Sequence, residues 1–328
     1  MHRAAIAAAV VAGSLALPAT AAAHLRTGRV AVDYEATVAP LQPPVAQALG
    51  VRVYRADLAL GLRVSDHHRV VVLGYTGEPF LRLGAGGTYA SRSSLTAAGL
   101  GLVGPHSGTG WQLVSRAPRL IWHDARVRGL PAGVEHGRWA VPVLVDGSRS
   151  ELTGRLTRVP RPPAWPWLAL GALFAVAAAV LLALRRPPLL RPAATLLGWV
   201  SAIATVLIAS GFAAAATASE GTWVEAANEV VFALVGVAFL VRGSRDTRAL
   251  AGGALGLFAL AVGLKSLPVL LHGVVLSALP ADVARTAVAV AVSAGTAATV
   301  IGLVVFFDVL EHYEEPACSS VTADRRRD

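Results

Sequence analysis

Arg161-Pro162-Pro163-Ala164-Trp165-Pro166-Trp167-Leu168 divides the chain into two unlike halves. Pro162 and Pro163 fix φ and remove backbone donors, so a strand ladder cannot run through them. From Trp165 to Leu184 no charged residue occurs, which supplies the ~20 apolar residues needed to cross hydrocarbon. Upstream of the prolines, apolar and polar residues alternate and turn residues are frequent; downstream the chain is continuously apolar with short charged interruptions.

Composition agrees with that division. The 328 residues are 55% hydrophobic and only 15% charged, with a mean hydropathy of +0.58, against about 25% charged in an ordinary soluble domain. These values exclude disorder and point to an integral membrane protein. All basic residues but Lys265 are arginine, and the single cysteine is Cys318, so neither an intrachain disulfide nor a multi-cysteine zinc site is available. Met1 is the only methionine, which leaves no thioether pathway for Cu(I).

Residues 1–23 read as a secretory signal, with His2 and Arg3 before an apolar stretch and Ala21-Ala22-Ala23 at its end. Cleavage there exposes His24 as a new N-terminus; an uncleaved anchor is the rival reading. Five spans are expected in the second half: 165–184, 194–217, 224–241, 249–279 as one long kinked helix or as a helix of about 249–266 followed by a re-entrant or interfacial segment, and 284–307. Arginines at 185, 186, 191, 242, 245 and 248 and in the 311–328 tail alternate with Glu220, Glu225 and Glu229 across the loops. The positive-inside rule then places residues 24–159 outside the cytoplasm and the tail within it, with the spans in contact with a lipid bilayer. Trp165, Trp167 and Trp223 fall at the outer interface. Gly252-x-x-x-Gly256 and Gly198-x-x-x-Ala202 permit close helix approach, a signal that an alanine-rich sequence also yields by chance.

Residues 24–159 are expected to form an antiparallel β-sandwich, immunoglobulin-like in the loose sense, joined by a Pro-rich linker at 160–164. Strands are expected at 29–38, 51–64, 69–83, 111–113, 120–127, 138–145 and 151–159, with turns at Gly84-Ala85-Gly86-Gly87 and Asp146-Gly147. This half carries 17 arginines against nine acids from Arg26 to Arg161, a surface suited to anionic lipid headgroups or wall polymers; its export and lack of a binding motif argue against nucleic acid. Trp122 and Trp139 are expected in the core. Gly74-Tyr-Thr-Gly-Glu78-Pro reads as a corner, with Glu78 placed to pair Arg82 or Arg126.

Three sets of residues could carry chemistry. His24 as a free N-terminus offers an amine and an imidazole to Cu(II), which favours tetragonal N and O ligands, and His123 and Asp124 are further candidate ligands. Adjacent strand residues face opposite ways, so His123 and Asp124 converge only at a bulge or turn. In the spans, Glu225 and Glu229 lie one helical turn apart and Lys265 near the end of the fourth. Each such charge costs roughly 2.5–3.5 kcal/mol to insert unless paired, and a Glu229–Lys265 pair, with His272 nearby, reads as a structural pair or as an ion or proton site. No Gly-x-Ser-x-Gly elbow and no phosphate loop occurs, so no catalytic residue is assigned and a non-enzymatic role is expected.

Several stretches resemble a family of uncharacterised actinobacterial membrane proteins with a secreted N-terminal domain and a multi-span second half: Ala22-Ala-His24, Val70-Val-Val-Leu-Gly-Tyr-Thr-Gly-Glu-Pro-Phe-Leu-Arg82, Trp122-His-Asp-Ala-Arg126, Trp139-Ala-Val-Pro142, Val145-Asp-Gly147 and Pro162-Pro-Ala-Trp-Pro-Trp167. The resemblance covers most of the first 170 residues. Members usually read Trp-His-Asp-His-Arg followed by His-Trp; here Ala125 and Arg128-Gly129 occupy those places, which confines any metal role implied by the family to His24 and His123. The resemblance implies no established activity. The sequence thus supports an exported ligand-binding or sensing domain on a membrane module, with copper or other metal handling at the envelope as one use of it and an envelope metal-handling protein as partner. The alternatives are a transporter working through Glu225, Glu229, Lys265 and His272, and a structural partner of another membrane protein.

Overall fold

A computed structural model describes residues 30–324 apart from 44, 55, 57–58, 105–107, 185 and 216–221, and gives no side-chain environment for 187, 222 and 312–324. The signal, His24 and the arginines at 325–327 lie outside the described residues.

The described residues form twelve strands and eight helices, which follow the division at Pro162-Pro163. The first half holds β1 (Ala31–Val32), β2 (Tyr34–Val38), a helical turn α1 (Val45–Ala48), β3 (Leu49–Tyr54), β4 (Ala59–Val64), β5 (Val70–Leu73), β6 (Pro79–Gly84), β7 (Gly87–Ser91), α2 (Leu95–Gly99), β8 (Trp111–Ser115), β9 (Arg119–Trp122), β10 (His136–Val145) and β11 (Ser148–Arg158). A seven-stranded antiparallel sheet in the order β2-β11-β10-β5-β6-β7-β8 faces a three-stranded sheet β3-β4-β9. Their apolar faces share one core in which Leu60, Leu62, Val64 and Trp122 of the small sheet pack with Val72, Phe80, Val141 and Val143 of the large one. Period-two alternation produces this, as in β11, where Leu152 and Leu156 are buried and Glu151, Thr153, Arg155 and Thr157 are exposed.

The expected strands are finer than single runs. The 51–64 and 69–83 stretches are each a hairpin, β3–β4 and β5–β6. The 29–38 stretch is interrupted at Asp33, and β7 forms where no strand is expected from the sequence. Trp122 and Trp139 are core residues, as expected. Glu78 does not pair Arg82 or Arg126: its carboxylate accepts from Ser94 Oγ at 2.8 Å, Thr96 Oγ1 at 2.7 Å and Thr76 Oγ1 at 2.7 Å, and from the Thr76 and Thr96 amides. Hydroxyl and amide donors converge there because the Gly74–Glu78 corner abuts the N-terminus of α2, whose cap is Ser94.

Burial acts to raise the Glu78 pKa, and these donors outweigh it, bringing the carboxyl down to about 2 from its usual 4.5. A group with a depressed folded pKa stabilises the fold above its unfolded value and loses that contribution as pH falls through the folded value. Glu78→Gln should therefore cost about 3 kcal/mol at pH 7, and the gap between variant and native protein should close between about pH 4.5 and pH 2; denaturant titrations across that range measure it.

The second half holds α3 (Trp165–Leu184), α4 (Pro187–Ala213), α5 (Thr222–Arg242), α6 (Arg245–Lys265), the short α7 (Pro268–Leu271), β12 (Val274–Val275) and α8 (Ala281–Asp324). Among the described residues five helices, α3 to α6 and α8, are long and apolar enough to cross a membrane. The 249–279 stretch is not one long kinked helix: α6 ends at Lys265, close to the end at about 266 of the alternative reading, and residues 266–280 form α7 and an extended segment. The fifth helix continues past 307 through the tail to Asp324. Helices α4, α6 and α8 form the centre of the bundle, α5 packs on α4 and α6, and α3 lies on α8 at the periphery. The small-residue spacing is used for packing. A Cβ on Gly252 would collide with the Ala194 carbonyl of α4, and one on Gly256 would stand 2.8 Å from Gly295 O of α8, so the backbones approach as far as glycine allows.

Candidate functional site

The two halves are joined by more than the linker. β1 pairs antiparallel with β12, Ala31 opposite Val275 and Val32 opposite Val274, and Leu276 N–H donates to Val30 O at 2.9 Å. Each half places side chains in the core of the other: Val30 and Ala31 pack with Val269, Leu270 and Ala284 of the bundle, and Leu276 packs in the sandwich. Asp33, in the break between β1 and β2, is the polar centre of this joint. One carboxylate oxygen accepts from Arg161 Nε at 2.9 Å; the other accepts from the Gly273 amide at 3.1 Å and lies 3.0 Å from His272 Nδ1.

The local sequence explains the geometry. Val159 N–H donates to Asp33 O at 2.8 Å, which aligns the linker so that Arg161 reaches the carboxylate. Gly273 passes so close to the linker that a Cβ would lie 2.7 Å from Pro160 O. Burial raises the Asp33 pKa, but the Arg161, Gly273 and His272 contacts outweigh it and hold the carboxyl below its ordinary value. From beneath, the buried Arg285 of α8 donates to Gly273 O at 2.8 Å, His272 O at 3.1 Å and Val269 O at 3.3 Å. The 266–280 segment is thus held by the sandwich through Asp33 and by the bundle through Arg285.

The ionisable residues expected in the spans separate into two places. Lys265 Nζ, at the end of α6, meets Glu225 Oε1 and, at 3.0 Å, Glu229 Oε1 of α5. One helical turn separates the glutamates, so both face the same neighbour. The expected Glu229–Lys265 pair is therefore present, with Glu225 as a third member. His272 is paired with Asp33 at the joint instead. At the opposite end of the bundle Arg191 of α4 joins Asp246 of α6 and, at 2.9 Å, Asp308 of α8, a clamp that the sequence does not reveal.

The Trp122-His-Asp-Ala-Arg126 stretch is a structural clasp. Asp124 is 1% exposed and accepts from Trp122 Nε1 at 3.1 Å, Arg126 Nε at 2.9 Å, Arg126 Nη2 at 2.7 Å and the Arg126 amide at 3.0 Å. These contacts engage both oxygens, which leaves the carboxylate no lone-pair direction open to a metal ion. His123 Nδ1 accepts from Arg128 Nη2 at 2.8 Å. His123 and Asp124 are thus turned to different partners, and among the described residues no group of three His, Cys, Asp or Glu side chains converges as a metal site. His24 cannot be placed beside either. Protein-family models, curated proteins and solved structures contain no match to this chain. Sequence reasoning misses Asp33, Arg161, Arg191 and Arg285 as functional positions; the only local signal is a carboxylate interrupting an alternating apolar run at position 33.

Proposed function

We infer that this is a non-enzymatic membrane protein whose β-sandwich, exported on the far side of the bilayer from the tail, is a binding or sensing module seated on the five-helix bundle. The observation that carries the reading is the joint itself. A domain tethered only by a linker moves independently of its anchor, whereas here a strand pair, exchanged core residues and the Asp33 contacts fix the sandwich to the segment between α6 and α8. Occupancy of the sandwich then biases α6 and α8, two of the three helices that form the centre of the bundle. Charge distribution supports the orientation: Arg242, Arg245 and Arg248 lie at the α5–α6 turn, remote from the sandwich.

The single native cysteine makes the orientation directly measurable. In intact cells Cys318 should be protected from a membrane-impermeant maleimide and react only after permeabilisation. A cysteine introduced at exposed Thr153 of β11 should react at once. The reverse pattern overturns the export of the sandwich.

A second reading, transport of a cation or proton, is favoured by one arrangement: two carboxylates converge on one ammonium at the sandwich end of the spans. Under it, protein reconstituted in vesicles should support a cation or proton flux that Glu229→Gln reduces at least tenfold without loss of the folded helix content. A flux equal to that of empty vesicles overturns it.

A further inference from the structure

The outward face of the small sheet β3-β4-β9 carries three arginines in a row. On antiparallel strands, residues directly opposite share a face. Arg63 of β4 stands opposite Arg119 of β9, and Arg52 of β3 stands opposite Gly61, two residues along β4 from Arg63. All three are exposed, while Leu60, Leu62 and Val64 on the other face of β4 are in the core. None of the three strands contains an acidic residue. Among the described residues, none of the three arginines has a carboxylate partner. A directly opposed like-charged pair destabilises a sheet. The Arg138–Arg155 pair of the large sheet has Glu35 of β2 and Glu151 of β11 on its face, whereas β3, β4 and β9 supply no acid to this row.

The row is also shaped. Tyr54 lies flat across Gly61: a Cβ there would stand 2.6 Å from Tyr54 Cε2 and 3.4 Å from Ile121 Cγ1. The Arg52 guanidinium sits over the Tyr54 ring, 5.0 Å from its centroid, which restricts a side chain that otherwise loses rotamer freedom on binding. From Arg52 to Arg119 the row crosses two inter-strand spacings, about 10 Å, more than one phosphate or carboxylate spans. Arg119 opens β9 and Arg63 stands opposite it near the end of β4. The other end of β9, at Trp122, leads into the loop whose Gly129 amide donates to the Tyr34 hydroxyl beside Asp33. On the reading of the five helices as spans, the bilayer lies on the joint side of the sandwich, and a soluble occupant reaches the row from the other side.

We propose that the Arg52-Arg63-Arg119 face binds a soluble linear polyanion, a chain bearing repeated phosphate or carboxylate groups, which the guanidiniums recognise by paired N–H donors. This rests on the reading of the sandwich as a binding module and names its ligand class. The test uses the full chain in nanodiscs of zwitterionic lipid, with linear inorganic polyphosphate as the probe. The variant R52Q/R63Q/R119Q should weaken binding at least tenfold. It should also lower the slope of log affinity against log salt by about 2, on the order of 0.7 for each phosphate of a flexible strand that an arginine no longer neutralises. The variant R138Q/R155Q removes an opposed arginine pair from the exposed face of the large sheet and should stay within twofold of the native protein. If the triple variant does not fold, R63Q alone should weaken binding about threefold.

Absence of polyphosphate binding by the native protein, undiminished binding by the folded arginine variants, or equal loss in the R138Q/R155Q control overturns the proposal. So does competition in which nanodiscs of anionic lipid, and not the polymer, occupy the row. The maleimide experiment reads export separately: a sandwich found on the cytoplasmic side defeats the export reading and leaves the binding result standing.

Discussion

Asp33→Ala should separate the sandwich from the bundle. In calorimetry of the full chain in detergent, the native protein should show one transition, because the two cores exchange Val30, Ala31 and Leu276 and cannot melt alone without exposing them. The variant leaves Arg161 without its acceptor, His272 without the carboxylate beside it and the Gly273 amide unpaired. Arg161 stays solvated at 69% exposure, so the loss falls on the half-buried amide of Gly273 and the contacts around it, about 1–3 kcal/mol. The expected result is two transitions and new protease cleavage at residues 159–164. Arg161→Ala, which keeps the Gly273 and His272 contacts, should give a smaller shift. The pH dependence has a fixed sign. Asp33 is held below its ordinary pKa in the docked state, so docking is strongest above the ordinary carboxylate range. It weakens as pH falls through the lowered value. A single transition at neutral pH in the alanine variant would show that the strand pair alone holds the joint.

Features encoded over a few residues are legible in the sequence; features made by distant residues are not. The division at Pro162-Pro163, the sandwich and the five spans follow from composition and periodicity, which short windows contain. The Glu225, Glu229 and Lys265 cluster is legible because a charge in an apolar helix needs a partner and few candidates exist. The Asp33 joint is not, because the Gly273 amide stands 240 positions away. Arg285 escapes for a related reason: near a helix start it looks like an interfacial cation, and only the fold turns it toward the carbonyls of residues 269–273. The kinked-helix expectation for 249–279 fails because Pro268 and His272 look like features of a span. In the structure they belong to a segment that leaves the bundle to pair with β1. The glycine spacing is ambiguous in an alanine-rich chain until the backbones of α4 and α8 are found within contact distance of it.

Asp124→Ala should be the most damaging single substitution in the sandwich. The variant leaves the Arg126 guanidinium, 18% exposed, without its carboxylate, and the buried Trp122 indole N–H without its acceptor. Arg126 also donates to Leu73 O at 2.9 Å and lies over the Tyr75 ring, so its displacement reaches the corner that Glu78 holds. The loss should be about 3–5 kcal/mol; at roughly 4 °C for each kcal/mol in a domain of this size, the sandwich midpoint should fall by more than about 10 °C. Asp124→Asn keeps a carbonyl acceptor and should lose less. The same measurement separates the clasp from metal ligation. A carboxylate that served as a ligand would support stability only with the ion bound, by mass action. A clasp residue costs the same stability in chelator as with Cu(II) added. A variant that matches the native midpoint in chelator and differs only with Cu(II) would restore Asp124 as a ligand. The four donors already directed at its two oxygens require the opposite outcome.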